Sequence, residues 1–358
     1  MKKNLRYGNN PHQQEAEFTA PERSLDILSG TPSYINLLDI LTGWQITRDL
    51  WIATGEIAAA SMKHCVPVGV ALPGKLDAFT QDLLGIDSGS ATLSAYLRAR
   101  SSDWGAAYGD LAVVYGAVDA ELAKILSRLV SDGIAATHFS ADALDILKKK
   151  KGGQYLIVQL HRAYEPPRRE IREVMGVELT QNRNNYIPEL TDFEFVAGEQ
   201  ALVTQLVNEL KLAAITMKYT VSNNIVLVSD GRTLAITAGQ QSRVLSTKLA
   251  CEKYIACQKF QHADVRAVLK QSQGKLTDRV LASAEAAQTT DLFVPPETPL
   301  VLGSDGYIPF RDNIEIAANH GVNVIFEPKG AMRGAEIEKA VADHGMTLVR
   351  TGFRAFYH

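Results

Sequence analysis

The chain reads as an α/β protein built on at least partly parallel sheet, and three observations carry that reading. Segments whose apolar residues recur at helical spacing alternate with short β-branched runs through the first 160 residues. The same alternation resumes from about residue 198. The 358 residues, 46% apolar and 22% charged, make an ordinary globular composition with room for two domains.

Residues 36–60 are expected to form a helix, because Leu37, Ile40, Leu41, Trp44, Ile46, Leu50 and Ile52 recur at roughly helical spacing, with Asn36 or Asp39 available as a cap. The run AAASMKHCVPVGVAL is small and β-branched and suits a buried strand interrupted at Pro67. Residues 75–84 and 91–100 read as helices, Leu111 to Val114 as a strand, Val118 to Val130 as a helix, and Ile134 to Ala136 as a strand. Ala141 to Lys150 then reads as a helix and Tyr155 to Leu160 as a strand. Two adjacent prolines among many charges mark RAYEPPRREIRE, residues 162–173, as a linker, so the expected units are 1–165 and 166–358.

In the second unit, GEQALVTQLVNELKLAAITMKYT reads as a helix running into a strand. IVLVSDGRTLAIT reads as two strands joined at Asp230-Gly231, a hairpin signal. QSRVLSTKLACEKYIACQKF is a helix opening at Gln241; Pro299 to Gly303, Val322 to Phe326 and Thr347 to Arg350 are strands with helices between. A faint repeat pairs Met62-Lys63-His64 with Met217-Lys218-Tyr219, and SDGIAA at 131–136 with HGVNVIF at 320–326.

Composition narrows the function. A formal charge of -3 gives no electrostatic case for nucleic acid. The basic run Lys148 to Lys151 suits a solvated helix end. No run approaches the roughly 20 apolar residues of a membrane span, and MKKNLRYGNN lacks the apolar stretch of a signal peptide. Cys65, Cys251 and Cys257 form neither a CxxC pair nor an even set, which argues against a disulfide framework or thiolate zinc and for the cytoplasm. Phosphate loops of the GxxxxGK[ST] and GxGxxG kinds are absent, as is the HxE with PCxxC of a zinc deaminase; no metal is expected.

Several clusters suit chemistry. In LRYGNNPHQ, Arg6 offers a planar donor fork for phosphate and Tyr7 a flat face with a hydroxyl. Lys63-His64 pairs a side chain matched to proton transfer with an ammonium that disfavours a second positive charge and can stabilise an oxyanion. Adjacent strand residues face opposite ways, so both reach one substrate only where the strand ends or bulges. GQQSR, residues 239–243, offers amides at a helix start together with Arg243. Asn223 in KYTVSNN suits a carboxamide or base edge, and equally a turn. Asp312 in SDGYIPFRDN suits a helix cap or a heterocycle's acceptor. The terminal GFRAFYH suits a packed rather than a frayed end.

In this order LRYGNNPHQ, YINLLDILTGWQ, KHCVPVGVA, YGDLAVV, LVSDGIAA, KYTVSNN, GQQSR, PFRDNIEIAANHGV and GFRAFYH resemble the aminoimidazole carboxamide ribonucleotide (AICAR) transformylases over nearly the whole chain. The resemblance implies transfer of a formyl group from 10-formyltetrahydrofolate to the 5-amino group of AICAR. It also implies two subdomains of cytidine-deaminase-like topology with an internal duplication, and a homodimer with active sites at its interface. A stand-alone form without the IMP cyclohydrolase domain is expected, and K+ accompanies some family members. Matched position by position, His64 would be the base and Lys63 the stabiliser of charge on the folate side. Arg6, Tyr7, Gly109, Asp132, Asn223, Arg243 and Arg354 would contact AICAR, with Arg6 and Arg354 on its phosphate. Val244, Tyr307, Asp312, Ala331 and Met332 would line the folate site. Departures fall at Cys65-Val66 and Val68, at Tyr108 and Tyr307 where Phe is usual, and at Ala331, where Ser is usual. A purine-nucleotide-binding paralogue without catalysis is the alternative.

Overall fold

Side chains of both parities along the central strands are apolar, and the sheet they form is covered on both faces. The computed structural model describes residues 1–358. Its strands are β1 (Lys2–Asn4), β2 (Glu17–Thr19), β3 (Leu25–Ser29), β4 (Ala58–Lys63), β5 (Val66–Ala71), β6 (Asp110–Val118), β7 (Ser131–Phe139), β8 (Leu156–Leu160), β9 (Arg169–Val174), β10 (Val177–Asn182), β11 (Phe193–Ala197), β12 (Ile225–Ser229), β13 (Arg232–Ile236), β14 (Val301–Ser304), β15 (Val324–Pro328) and β16 (Thr347–Thr351). Its helices are α1 (Tyr34–Thr54), α2 (Ala78–Leu84), α3 (Ala91–Arg100), α4 (Ala120–Arg128), α5 (Ala141–Leu147), α6 (Ala201–Gln205), α7 (Val207–Lys218), α8 (Arg243–Lys259), α9 (Ala263–Gln271), α10 (Leu276–Gln288), α11 (Asp312–Asn319) and α12 (Gly334–Asp343).

Twelve strands make one mixed sheet in the order β11-β16-β15-β14-β12-β13-β5-β4-β6-β7-β8-β3. Outward from the central β13–β5 pair, each side runs through a hairpin partner, three strands and a closing edge strand. On both sides the hairpin is antiparallel, the next pairing antiparallel, the following two parallel and the last antiparallel. Strands β7 and β15, which carry or follow SDGIAA and HGVNVIF, hold the same place in the two series.

Period-two alternation sorts the core. Met62, Val113, Val228 and Phe326 point to the face covered by α1 and α7, which pack side by side into one continuous cluster. Ala112, Val114 and Ile134 point the other way, under helices of the first half against which α9 and α10 also pack. Leu227, Leu302 and Ile325 do the same under α8, α11 and α12. One face is therefore a shared core and the other is two separate ones.

Several expectations are corrected. Helix α1 starts at Tyr34 because Ser33 caps it and Asn36 completes a reciprocal capping box; Asp39 is no cap. It stops at Thr54 because Gly55 turns left-handed at φ 76°, and Ala58–Lys63 is a strand rather than helix end. Val118 closes a strand instead of opening a helix. Lys218 ends α7, Tyr219 follows it, and neither lies on a strand, so they do not correspond to Lys63 at the end of β4 and His64 just after it. The linker at 162–173 runs into β9, which pairs with β10 as an exposed hairpin. Lys150 is not solvated: its ammonium caps the end of α4 through Leu126 and Leu129 carbonyls, at 2.5 and 2.7 Å. Burial first, then Lys151, holds Lys150 down to about 8. The C-terminal tail keeps exposed faces but is tied down by Ser222–Tyr357 and Ala355–Asp305 backbone bonds.

Candidate active site

Register places the candidates. Lys63 ends β4, and the antiparallel β6 begins beside it, so Gly109 and Asp110 lie next to the Lys63 turn. Strand β7 runs parallel to β6 and starts at Ser131, which brings Asp132 to the same edge. Arg232 at the start of β13 pairs with Ala71 at the end of β5, so the end of β13 points toward the Lys63 edge. The start of β12 and the ends of β14, β15 and β16 share that edge. Asn223, Arg243 and Asp305 follow from this placement. Both halves thus deliver their candidate residues to one edge of one sheet.

The Lys63-His64 problem of facing is solved by a turn. Lys63 pairs with Val66, leaving His64 and Cys65 as a two-residue loop with φ of 56° and 63°. Two left-handed residues are what a tight hairpin needs, though Asn-Gly usually supplies them. Holding non-glycine residues there costs about 1–2 kcal/mol each. The His64 ring is exposed and makes no hydrogen bond within the chain. The Lys63 ammonium donates to the Ala106 and Tyr108 carbonyls at 3.0 and 2.8 Å. It also borders a cavity of about 520 Å3 walled by Arg100, Trp104, Tyr108, Arg128 and Leu276, which nothing in the sequence had singled out.

Below the turn lies a buried polar network. Asp110 accepts from Ser61 Oγ at 2.6 Å and Tyr96 OH at 3.0 Å, and pairs with Arg100. Asp39 Oδ1, on α1, accepts the Cys65 N–H at 2.6 Å. Burial, with Asp132 and Asp110 nearby, raises Asp39 from an ordinary 3.8 to about 6, against the lowering effect of the Cys65 bond. Burial and Asp39 together push the Cys65 thiol up to about 11.

The Asp39 shift has a sign. Its carboxyl binds a proton more tightly folded than unfolded, so the stability it contributes is full below about pH 4 and is lost as pH rises through about 6. Urea unfolding of wild type and D39N should therefore diverge with pH. Relative to D39N, wild type is expected to lose up to about 3 kcal/mol between about pH 4 and pH 7. A pH-independent difference refutes the assignment.

The second cluster centres on Arg243. Ser242 caps α8 and places Arg243 at its first position, but the guanidinium turns inward rather than toward solvent. It donates to Ser304 Oγ at 2.7 Å, Asp305 Oδ1 at 2.6 Å and Asn223 Oδ1 at 2.6 Å. Asn223 in turn donates to the Gln240 carbonyl at 2.8 Å. Asp305, fully buried, also faces the Asn224 amide at 3.3 Å.

The remaining candidates lie outside these two hydrogen-bonded networks. Arg6 stacks on Tyr7 at 4.9 Å, and the Tyr7 carbonyl accepts from Tyr34 N–H at the start of α1. Arg354 stacks on Phe356 at 4.2 Å. Neither arginine has a carboxylate partner, and no hydrogen bond joins them. Asp132 is held by Lys151 at 2.8 Å. Val244 is half-buried on α8; Tyr307, Asp312 and Met332 are exposed, and Ala331 is half-buried beside Met332. Asp312 is the first residue of α11 and bonds its neighbour Asn313, so it is not the cap. Arg333 stacks on Phe310 at 5.2 Å, bringing the Ala331-Met332 loop toward the PFRDN segment. The tail meets the second cluster at Ser222, whose N–H donates to the Tyr357 carbonyl at 2.9 Å and whose Oγ accepts the Tyr357 N–H at 3.2 Å. No three His, Cys, Asp or Glu side chains group as metal ligands do, and no helix is long and apolar enough to cross a membrane.

The family model described as AICARFT/IMPCHase bienzyme matches residues 1–253. The chain is similar to the bifunctional purine biosynthesis protein PurH of Prochlorococcus marinus (strain MIT 9303), with 28% identity over 368 residues. The PurH proteins of Lactobacillus acidophilus and Parasynechococcus marenigrum match at 28% and 27%. Each alignment takes in 100% of this chain and 60% of the relative, so the chain spans about 60% of the length of these curated relatives.

Proposed function

The chain belongs to the AICARFT/IMPCHase bienzyme family, and on that premise we propose that it transfers a formyl group from 10-formyltetrahydrofolate to the 5-amino group of AICAR. The observation that carries the reading is the turn that ends β4. It sets His64 in the open, free of any hydrogen-bond partner in the chain, next in sequence to Lys63 and on the sheet edge shared with Asn223.

The attacking amine is a poor nucleophile because its lone pair is delocalised into the imidazole ring and carboxamide. His64 takes a proton from that nitrogen as it bonds to the formyl carbon. Lys63 stabilises the negative charge that develops on the formyl oxygen. The bond from carbon to the folate nitrogen then breaks, that nitrogen takes up the proton His64 removed, and formyl-AICAR and tetrahydrofolate leave, with His64 neutral again. Asn223, oriented by Arg243, holds the carboxamide, and the unpaired Arg6 and Arg354 receive the phosphate. Gly109, Tyr7 and Asp132 complete the nucleotide site. The folate lies against Val244, Tyr307, Asp312, Ala331 and Met332. Exposure of Tyr307, Phe310 and Met332 favours closure of that surface by a second copy, as a homodimer with interfacial sites.

We also place the unit boundary near residue 165 and read an internal duplication of cytidine-deaminase-like topology. The matching order and directions of the two six-strand series support it. Purified protein given AICAR and 10-formyltetrahydrofolate should release formyl-AICAR, detected by mass spectrometry, with kcat on the order of 1–10 per second. AICAR binding by calorimetry with no formyl-AICAR from either a folate or a formate donor would establish the non-catalytic alternative.

A further inference from the structure

We propose that Asp39 is a positioning residue: by accepting the Cys65 amide hydrogen it holds the His64-Cys65 turn in its left-handed form and so fixes where the His64 ring stands. The turn cannot hold itself. Positive φ is uncommon for any residue but glycine; His tolerates it better than most, whereas Cys brings no local side-chain bond of the kind that lets Asn or Asp adopt it. The pairing of Lys63 with Val66 closes the loop but leaves its two central residues free to choose another turn type.

Asp39 supplies the missing constraint from outside the hairpin. It projects from the buried face of α1, is 5% exposed, and its bond to Cys65 N–H at 2.6 Å is its sole side-chain hydrogen bond. No cation pairs with it, while Asp110 and Asp132 stand close enough to repel it. A buried carboxylate kept beside two others and without a counter-ion works against stability. The one hydrogen bond its carboxylate makes is with the turn that carries His64. Local strain held in place by a single outside acceptor is a pattern found at functional sites.

The test is a double-mutant cycle with C65G, because glycine adopts positive φ without help. D39A is expected to lower kcat for formyl transfer at least tenfold, with the KM for AICAR changed less than threefold. In the C65G background the same substitution should cost less than threefold, and D39N, which keeps an acceptor, should retain most of kcat. An equal cost in both backgrounds, or an unchanged kcat in D39A, overturns the proposal. If D39A fails to fold, D39S, too short to reach the amide, takes its place. The activity arms rest on the formyl-transfer reading. Amide hydrogen exchange at Cys65 does not: it should rise at least tenfold in D39A or D39S, and unchanged exchange overturns the proposal even if the wild type transfers no formyl group.

Discussion

His64→Ala is expected to lower kcat for formyl transfer by about 10²–10⁴-fold, the usual contribution of a positioned general base. Binding of AICAR should change little, since the phosphate and carboxamide contacts assigned to Arg6, Arg354 and Asn223 are untouched. The fold should survive as well. The ring is exposed, bonds nothing in the chain, and alanine meets the same left-handed constraint at φ 56° that histidine already bears. Calorimetry with AICAR and single-turnover kinetics separate the two effects. Turnover left intact would end the assignment of His64 as base, whatever the family membership says about the reaction.

Arg243→Ala is expected to cost about 3–5 kcal/mol of stability, the penalty for removing one partner of a buried ion pair. Asp305 is fully buried, and its Oδ1 loses the guanidinium at 2.6 Å. Asn223 Oδ1 loses its donor at 2.6 Å in the same step, so AICAR affinity should fall with stability. Lysine should not rescue the site. Its single ammonium cannot serve Ser304, Asp305 and Asn223 at once, as the planar fork does. Urea unfolding measures the first effect and calorimetry the second. R243A/D305N should recover part of the stability, because a neutral amide replaces the stranded carboxylate. A loss below about 1 kcal/mol would show that water screens the pair.

How far the sequence reached differs between the two clusters. KHCVPVGVA pointed to His64 and raised the question of facing, because strand residues alternate. What it could not show is that the strand stops at Lys63, since no Asn or Gly marks the turn. GQQSR suggested an arginine at a helix start, open to an anion. In the structure Arg243 is instead the internal brace of Asn223, and its partner Asp305 lies 62 positions away in SDGYIPFRDN. In the sequence Asp39 suits only a helix cap, because capping is a local property and its actual partner, Cys65, is 26 residues on. The cavity beside Lys63 draws on segments from residues 63 to 281, and no single motif announces it.

Alone, the sequence determined the alternation of helices and strands, most of their positions, and the segments that carry the chemistry. Those depend on periodicity, caps and turn residues, which act over a few neighbouring positions. Tertiary structure decided the strand order, the β13–β5 pairing that joins the halves, and the convergence of their candidate residues on one edge. It also decided which polar side chains turn inward. These outcomes depend on register and burial between distant segments, where an Asp beneath a hairpin and an Asp at a helix start look alike until the chain closes around one of them.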